Sequence, residues 1–287
     1  MRVLLNRNSH ILSAYFVVVA AIALAGTANA EIIFSENFNA VDTSDGSVAV
    51  NTSPANTAFT VNRNNYTSPN NISIRRDTSE RFGGEADDNY LRLLDGSTTN
   101  APRLVGSVPI AAGGVFQLSF DVIDPFDPEA PQQDVRIRLM GNYSTSATIT
   151  VGMQFKSGRL MFRYLEDLEE EFVNDIPYES NTLYHFDLVG NYGDESVEYG
   201  VRTLASKTFD VYVDGVLARS GFAFANDVNY NTHLALVGGS NVSTGELLLD
   251  NIVFRDDITL SPIPEPSTGI LLTVLLAGFA AVRRRQA

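Results

Sequence analysis

Apolar and polar residues alternate with a period of two along the middle of the chain. That period predicts half-buried strands, because successive side chains of a strand point to opposite sides of a sheet. Phe116, Leu118, Phe120 and Val122 alternate with Gln117, Ser119 and Asp121, and Val135, Ile137 and Leu139 alternate with Arg136 and Arg138. Ile149, Val151, Met153 and Phe155 follow the same rule, as do Phe209, Val211 and Val213. Shorter apolar runs predict further strands at Ile32–Phe38, Tyr90–Leu94, Leu160–Phe162, Leu183–Val189, His233–Val237 and Leu247–Phe254. Between the two ends of the chain no segment carries the 3.6-residue period of a long amphipathic helix.

Turn chemistry punctuates these runs. Asp214-Gly215 between Val213 and Val216 predicts a two-residue hairpin, whose central positions both require positive φ. Ser157-Gly158 separates Phe155 from Leu160 in the same way. The stretch Asn51–Ser73, rich in Asn, Thr and Ser, predicts a surface loop, and its Asn-x-Ser/Thr triplets read as accidents of composition. Asp124-Pro125-Phe126-Asp127-Pro128-Glu129 predicts a second loop. Ten or more strands with no Pro/Gly/Ser linker among them predict an all-β body made of two packed antiparallel sheets in a single domain over residues 31–261.

The two extremities read as addresses. Arg2 and Arg7, an apolar run from Ile11 to Ala25 and Ala28-Asn29-Ala30 form a signal peptide over residues 1–30, leaving Glu31 as the mature N-terminus. Residues 262–287 open with Pro-Ile-Pro-Glu-Pro, continue with an apolar run from Gly269 to Val282 and end in Arg283-Arg284-Arg285. Fourteen helical residues would span about 21 Å against a hydrocarbon core of about 30 Å, a short transmembrane helix. The terminal arginines place the preceding body on the outer side of a membrane.

This ending resembles the PEP-CTERM sorting signal of Gram-negative bacteria. The likeness is carried by Pro264, Glu265, Pro266 and Ser267 with Thr268, the short apolar helix and the arginine cluster. It implies export, transient membrane association through the helix and removal of the tail by an exosortase after signal peptidase has acted. It also implies residence in the cell envelope, at the surface or in the extracellular matrix. The body resembles the concanavalin-A-like, or laminin-G-like, jelly roll in Leu183–Leu188, Phe209–Gly215 and Leu247–Phe254. That architecture hosts lectins, glycosidases, lyases and inert adhesion modules, so the likeness implies a scaffold rather than an activity.

Charge narrows the partners. Residues 31–263 hold 33 acidic and 15 basic side chains, a net charge of −18. Such a field argues against nucleic acid and disfavours anionic partners unless a cation bridges them. With no Cys in the chain, a disulfide framework, thiol catalysis and thiolate metal ligation are excluded.

Three chemical candidates follow. Glu36 lies on the predicted apolar face of the first strand with Ile32, Phe34 and Phe38, and Asp250 on that of the last strand with Leu248, Ile252 and Phe254. A carboxylate on an apolar face is costly unless it is paired or metal-bound. The first and last strands are expected to be neighbours, so Glu36 and Asp250 are candidate ligands of one structural Ca2+. Tyr192, Tyr199 and Tyr230, near predicted loops, are the candidate platforms for a carbohydrate. The acidic run Glu166-Asp167-Leu168-Glu169-Glu170-Glu171 invites a glycosidase reading, but its first two acids would point to opposite faces, and it predicts a solvated loop. His185, beside Asp187, has no partner pattern that marks a general base. The expected function is therefore a non-enzymatic surface or matrix module that binds exopolysaccharide. A polysaccharide hydrolase or lyase on the same fold and a purely structural matrix protein stand as alternatives.

Overall fold

The computed structural model describes residues 31–44, 47–49, 59–61, 71–83, 88–96, 103–107, 114–129, 134–141, 149–166, 169–226, 233–238 and 245–260. These contain eighteen strands and no helix. In chain order they are β1 (Ile32–Glu36), β2 (Ser47–Ala49), β3 (Phe59–Val61), β4 (Asn71–Arg76), β5 (Asn89–Asp95) and β6 (Arg103–Ser107). Then come β7 (Val115–Ile123), β8 (Val135–Met140), β9 (Ile149–Lys156), β10 (Arg159–Glu166), β11 (Glu169–Pro177) and β12 (Leu183–Asn191). The last six are β13 (Val197–Tyr199), β14 (Arg202–Leu204), β15 (Thr208–Val213), β16 (Val216–Ala223), β17 (His233–Gly238) and β18 (Gly245–Arg255).

Two antiparallel sheets form a sandwich. The nine-stranded sheet runs β16-β15-β12-β7-β18-β5-β4-β2, with β1 also paired to β18, and the seven-stranded sheet runs β11-β10-β9-β8-β17-β6-β3. The alternating residues read from the sequence fill the space between them. Phe116, Leu118, Phe120 and Val122 of β7 meet Ile137 and Leu139 of β8 and Val151, Met153 and Phe155 of β9 in one continuous core. Its centre is aromatic: Phe116 stacks on Tyr192 at 5.0 Å and on Phe254 at 5.4 Å between ring centroids. Gly190 is required there, because a Cβ at that position would lie 2.0 Å from the Phe116 ring.

The predicted hairpins form with the expected backbone. Asp214 and Gly215 have φ of 50° and 74°, and Ser157 and Gly158 have 47° and 81°. Two stretches expected to be loops contain strands, although residues 51–58 and 62–70 lie outside the described residues. The Asn51–Ser73 stretch includes β3 and the start of β4, where Ile72 and Ile74 are fully buried between outward Ser73 and Arg75. Within β4 the polar Ser73 and Arg75 alternate with the buried Ile72 and Ile74. The acidic run is divided between β10 and β11, which pair Glu166 with Glu169 and Leu165 with Glu170. Residues 1–30 and 262–287, and with them the sorting motif, lie outside the described residues, as does Tyr230.

Candidate functional site

The outer faces of the two sheets, turned away from the core, hold the polar chemistry. On the nine-stranded sheet the outward positions of β7 and β12 alternate with the core residues and carry Gln117, Ser119, Asp121, His185 and Asp187. These side chains bond to one another across the strands. Asp187 is buried, and its Oδ1 accepts hydrogen bonds from Ser119 Oγ at 2.5 Å and Gln117 Nε2 at 3.0 Å. His185 sits between two carboxylates, with Nδ1 2.5 Å from Asp121 Oδ1 and Nε2 3.3 Å from Asp187 Oδ2.

The hydrogen bond to Asp121, followed by that to Asp187, raises the His185 pKa to about 10 against the opposing effect of burial. Burial would push Asp187 up, but the bonds from His185 and Ser119 prevail and hold its carboxyl below the usual range. A ring kept cationic by two anions has no free nitrogen lone pair to accept a proton. Both ring nitrogens of His185 are thus engaged by carboxylates, which favours its cationic form.

The network continues to both sides. Asp121 Oδ2 accepts from Asn251 Nδ2 at 2.8 Å, and Gln117 Oε1 accepts from Thr259 N and Thr259 Oγ1, both at 2.9 Å. Those last bonds strap the segment after β18 across the sheet, where Ile258 and Leu260 pack on the cluster of Val189, Tyr199, Leu204 and Tyr212.

The structure separates the two expected cation ligands. Glu36 pairs in register with Ile252, a core residue, so it points inward, and its Oε1 accepts the Phe38 N–H at 2.8 Å at a turn where Phe38 has φ of 59°. Asp250 pairs with Asp121 and points outward. The expectation that Asp250 shares a face with Ile252 fails because the register shifts between Asp250 and Val253, where Asn251 has φ of 50° and exchanges the faces of β18. On opposite faces of one sheet, Glu36 and Asp250 do not share a Ca2+. Among the described residues no group of three or more His, Asp or Glu side chains is placed to hold a metal. Burial raises the Asp250 pKa to about 7, less the effect of the Asn251 N–H it accepts, with Asp121, Asp88 and Asp77 adding to the rise.

The tyrosines are structural too. Tyr192 is fully buried in the core, with its hydroxyl 3.4 Å from Thr150 Oγ1. Tyr199 is buried, donates to Asp210 Oδ2 at 2.5 Å and lies 2.8 Å from the Tyr212 hydroxyl. Neither ring offers a face to a sugar: Tyr192 packs between Phe116 and Phe224 in the core, and Tyr199 packs with Val189, Leu204 and Tyr212.

The outer face of the seven-stranded sheet differs. Its five contiguous strands β3, β6, β17, β8 and β9 contain no Asp or Glu, although the chain has 34 of them. Outward positions there hold Arg136 and Arg138 on β8, Gln154 and Lys156 on β9, and Arg159, Met161 and Arg163 on β10. Arg136 and Gln154 are directly opposite, as are Arg138 and Gly152, and Lys156 and Arg159.

Arg159 is exposed, while Arg136 and Lys156 are half-buried. Gln154, Arg138 and Arg163, on the same face, are buried. Asp134, just before β8, fixes the Arg136 guanidinium with a two-point contact of 3.1 and 2.7 Å. Beside this row lies an apolar set on the same sheet, Val105, Met140, Ile149, Ala235 and Val237. His233, on the outward side of β17, has its pKa lowered by burial. The spacing of Arg136 and Arg138 was visible in the sequence, but the neighbouring of β8, β9 and β10 was not.

Solved structures share this architecture. The globular domain of T. cruzi calreticulin matches at 13% identity and a TM-score of 0.50, covering 79% of this chain and 89% of that one. The catalytic domain of a glycoside hydrolase family 131 protein from Coprinopsis cinerea matches at 12% identity and 0.49, covering 82% and 98%. A carbohydrate binding module from Bacillus subtilis matches at 10% identity and 0.37, covering 57% and 86%. The body is an all-β, two-sheet jelly-roll sandwich, and at these identities the likeness defines the fold alone. No family model matches the sequence, and no curated protein matches it.

Proposed function

We propose that the chain is an exported surface or matrix protein whose jelly roll binds polysaccharide without cleaving it, through the outer face of the seven-stranded sheet. The supporting observation is the run of five adjacent strands without a carboxylate, bearing instead the planar donors Arg136, Arg138 and Gln154. Hydroxyl-rich ligands are held by fixed polar groups of this kind set among apolar neighbours. Hydrolysis of a glycoside requires two carboxyl groups flanking the bond, and these strands supply none. The termini support the setting: signal peptidase and an exosortase act on the ends, and the body resides in the envelope or matrix of a Gram-negative bacterium.

Glycan-array binding by the purified exported chain tests this reading. Retention of a polysaccharide, reduced by Gln154→Ala, is the expected result, and retention of no glycan overturns it. A second reading, cleavage by proton abstraction, is favoured by His233, which burial keeps neutral on the same face. Release of new chain ends from a bound polysaccharide, abolished in His233→Ala, would replace the binding reading with that one.

A further inference from the structure

Resting on that reading, we infer that the ligand is an anionic polysaccharide, its carboxylate or sulfate groups received by the cationic row on β8, β9 and β10. Successive outward positions of a strand lie about 7 Å apart and neighbouring strands about 4.8 Å apart. On β9, Lys156, Gln154 and Gly152 occupy three such positions. They are flanked by Arg136 and Arg138 on one side and by Arg159 and Met161 on the other, with Arg163 next along β10.

The row thus rises from buried Arg138 and Arg163 to exposed Arg159, over about 14 Å of strand. Gly152 is what allows the lower end to form. A Cβ there would fall 2.8 Å from Arg163 Cβ and 3.3 Å from its Cδ, so the aliphatic stem of Arg163 lies across the glycine, beside the strand that carries Arg138. Two guanidinium-bearing stems flank a position without a side chain.

In a body of net charge −18 this concentration of cations is not an average property of the surface. β8 and β9 belong to the acid-free run and place no carboxylate of their own beside the row, whereas on its other flank β10 ends in Glu166 and pairs with acid-rich β11, so the approach is open from the β9 and β8 side. A linear polyanion running along the strands would meet Lys156 and Arg159 first and Arg136 next. The overall acidity then acts as a filter. It disfavours polyanions over the body as a whole, so that binding at the row would favour a single orientation over non-specific coating.

The test uses the purified exported chain in affinity electrophoresis and titration calorimetry. The probes are polygalacturonate, dextran sulfate and uncharged dextran. Polygalacturonate or dextran sulfate is expected to bind, with dextran at least tenfold weaker and with affinity falling several-fold as salt screens the contact. Binding by only one of the two polyanions supports the row and identifies whether carboxylate or sulfate is the recognised group. The double variant Lys156→Gln/Arg159→Gln, at the accessible end of the row, should weaken binding by roughly tenfold, about threefold per charge. Arg219→Gln, which removes an exposed charge from the nine-stranded sheet, should leave it unchanged.

Arg138→Gln adds the buried end of the row and is read only alongside a circular dichroism spectrum that matches the parent. Undiminished polyanion binding by the folded double variant overturns the inference, as does binding of dextran as tight as that of either polyanion. Neutral-glycan binding with no polyanion binding sinks this inference and spares the polysaccharide reading. Binding of no probe and no arrayed glycan sinks both.

Discussion

On the nine-stranded sheet, the outward positions of β18, β7, β12 and β15 hold Asp250, Asp121, Asp187 and Asp210. On the seven-stranded sheet, the outward positions of β8, β9 and β10 hold Arg136, Arg138, Gln154 and Arg163. Both sets lie on the outer side of a strand whose other side builds the same core. The acids of the first sheet are bonded to groups the fold itself supplies: His185 to Asp121 and Asp187, Arg202 and Tyr199 to Asp210. Proton concentration should therefore act on stability through the nine-stranded sheet, and salt should act on binding through the seven-stranded one.

The largest expected break is Asp187→Ala. It strands Ser119 and Gln117 and removes one of the two anions holding His185. Breaking a buried network of this sort costs about 3 kcal/mol. In a domain of this size the melting temperature should fall by about 6–12 °C, readable by calorimetry. A change under about 2 °C would show that the network carries little load.

Asp250→Asn should act in the opposite direction, growing as pH rises above about 4. The folded pKa of Asp250, about 7, lies above its ordinary value of 3.8. The folded state then holds the proton more tightly, so stability falls as pH rises from about 4 to 7 and stays low above. The variant should gain on the order of 2 kcal/mol at pH 8 and nothing at pH 3.5 in urea titrations. In the same experiment, chelator should leave the melting temperature of the parent chain unchanged. A rise on adding Ca2+ that Asp250→Asn abolishes would locate an ion at the outward carboxylates, without Glu36.

Arg136→Gln should cost about 1 kcal/mol or more, because it leaves the buried Asp134 carboxylate without its two-point partner. A loss as large as that of Asp187→Ala would mean that the two faces do not differ in kind. A smaller pH effect comes from His185. Its raised pKa contributes stability that is complete below about 6.5 and is lost as pH climbs toward about 10. The ring is part-exposed, so screening reduces this to under about 1 kcal/mol, or about 2–4 °C in melting temperature. His185→Gln should flatten that limb of the curve.

The strands of β7, β8, β9 and β15 were legible because their apolar residues alternate, and β9 and β15 are also followed by Ser-Gly and Asp-Gly turns. β4 was hidden by Asn71 and Ser73, residues of loop-like composition, although Ile72 and Ile74 keep the period. The acidic hairpin was hidden because glutamates are poor strand formers and period two cannot be read through a run of like residues. The Ca2+ pair was lost to one residue: with Asn251 at positive φ, parity along β18 no longer predicts the face. Burial of Tyr192 and Tyr199 depends on what packs over a strand end, which no local pattern encodes. The cationic row lay half in view. The acid-free stretches at residues 135–140 and 149–156 are adjacent in sequence, but β17 and β6 complete the field only through long-range pairing.

The strap at Ile258–Leu260 has a mechanical consequence. Tension applied beyond Leu260 reaches the bonds to Gln117 and the two apolar side chains before it reaches any strand. Those few contacts would peel first and lengthen the leash by several residues. The remaining pull then enters β18, which is gripped by β7 on one flank and by β5 and β1 on the other. A sacrificial latch in front of a centrally anchored strand lets the body absorb a tug without unravelling.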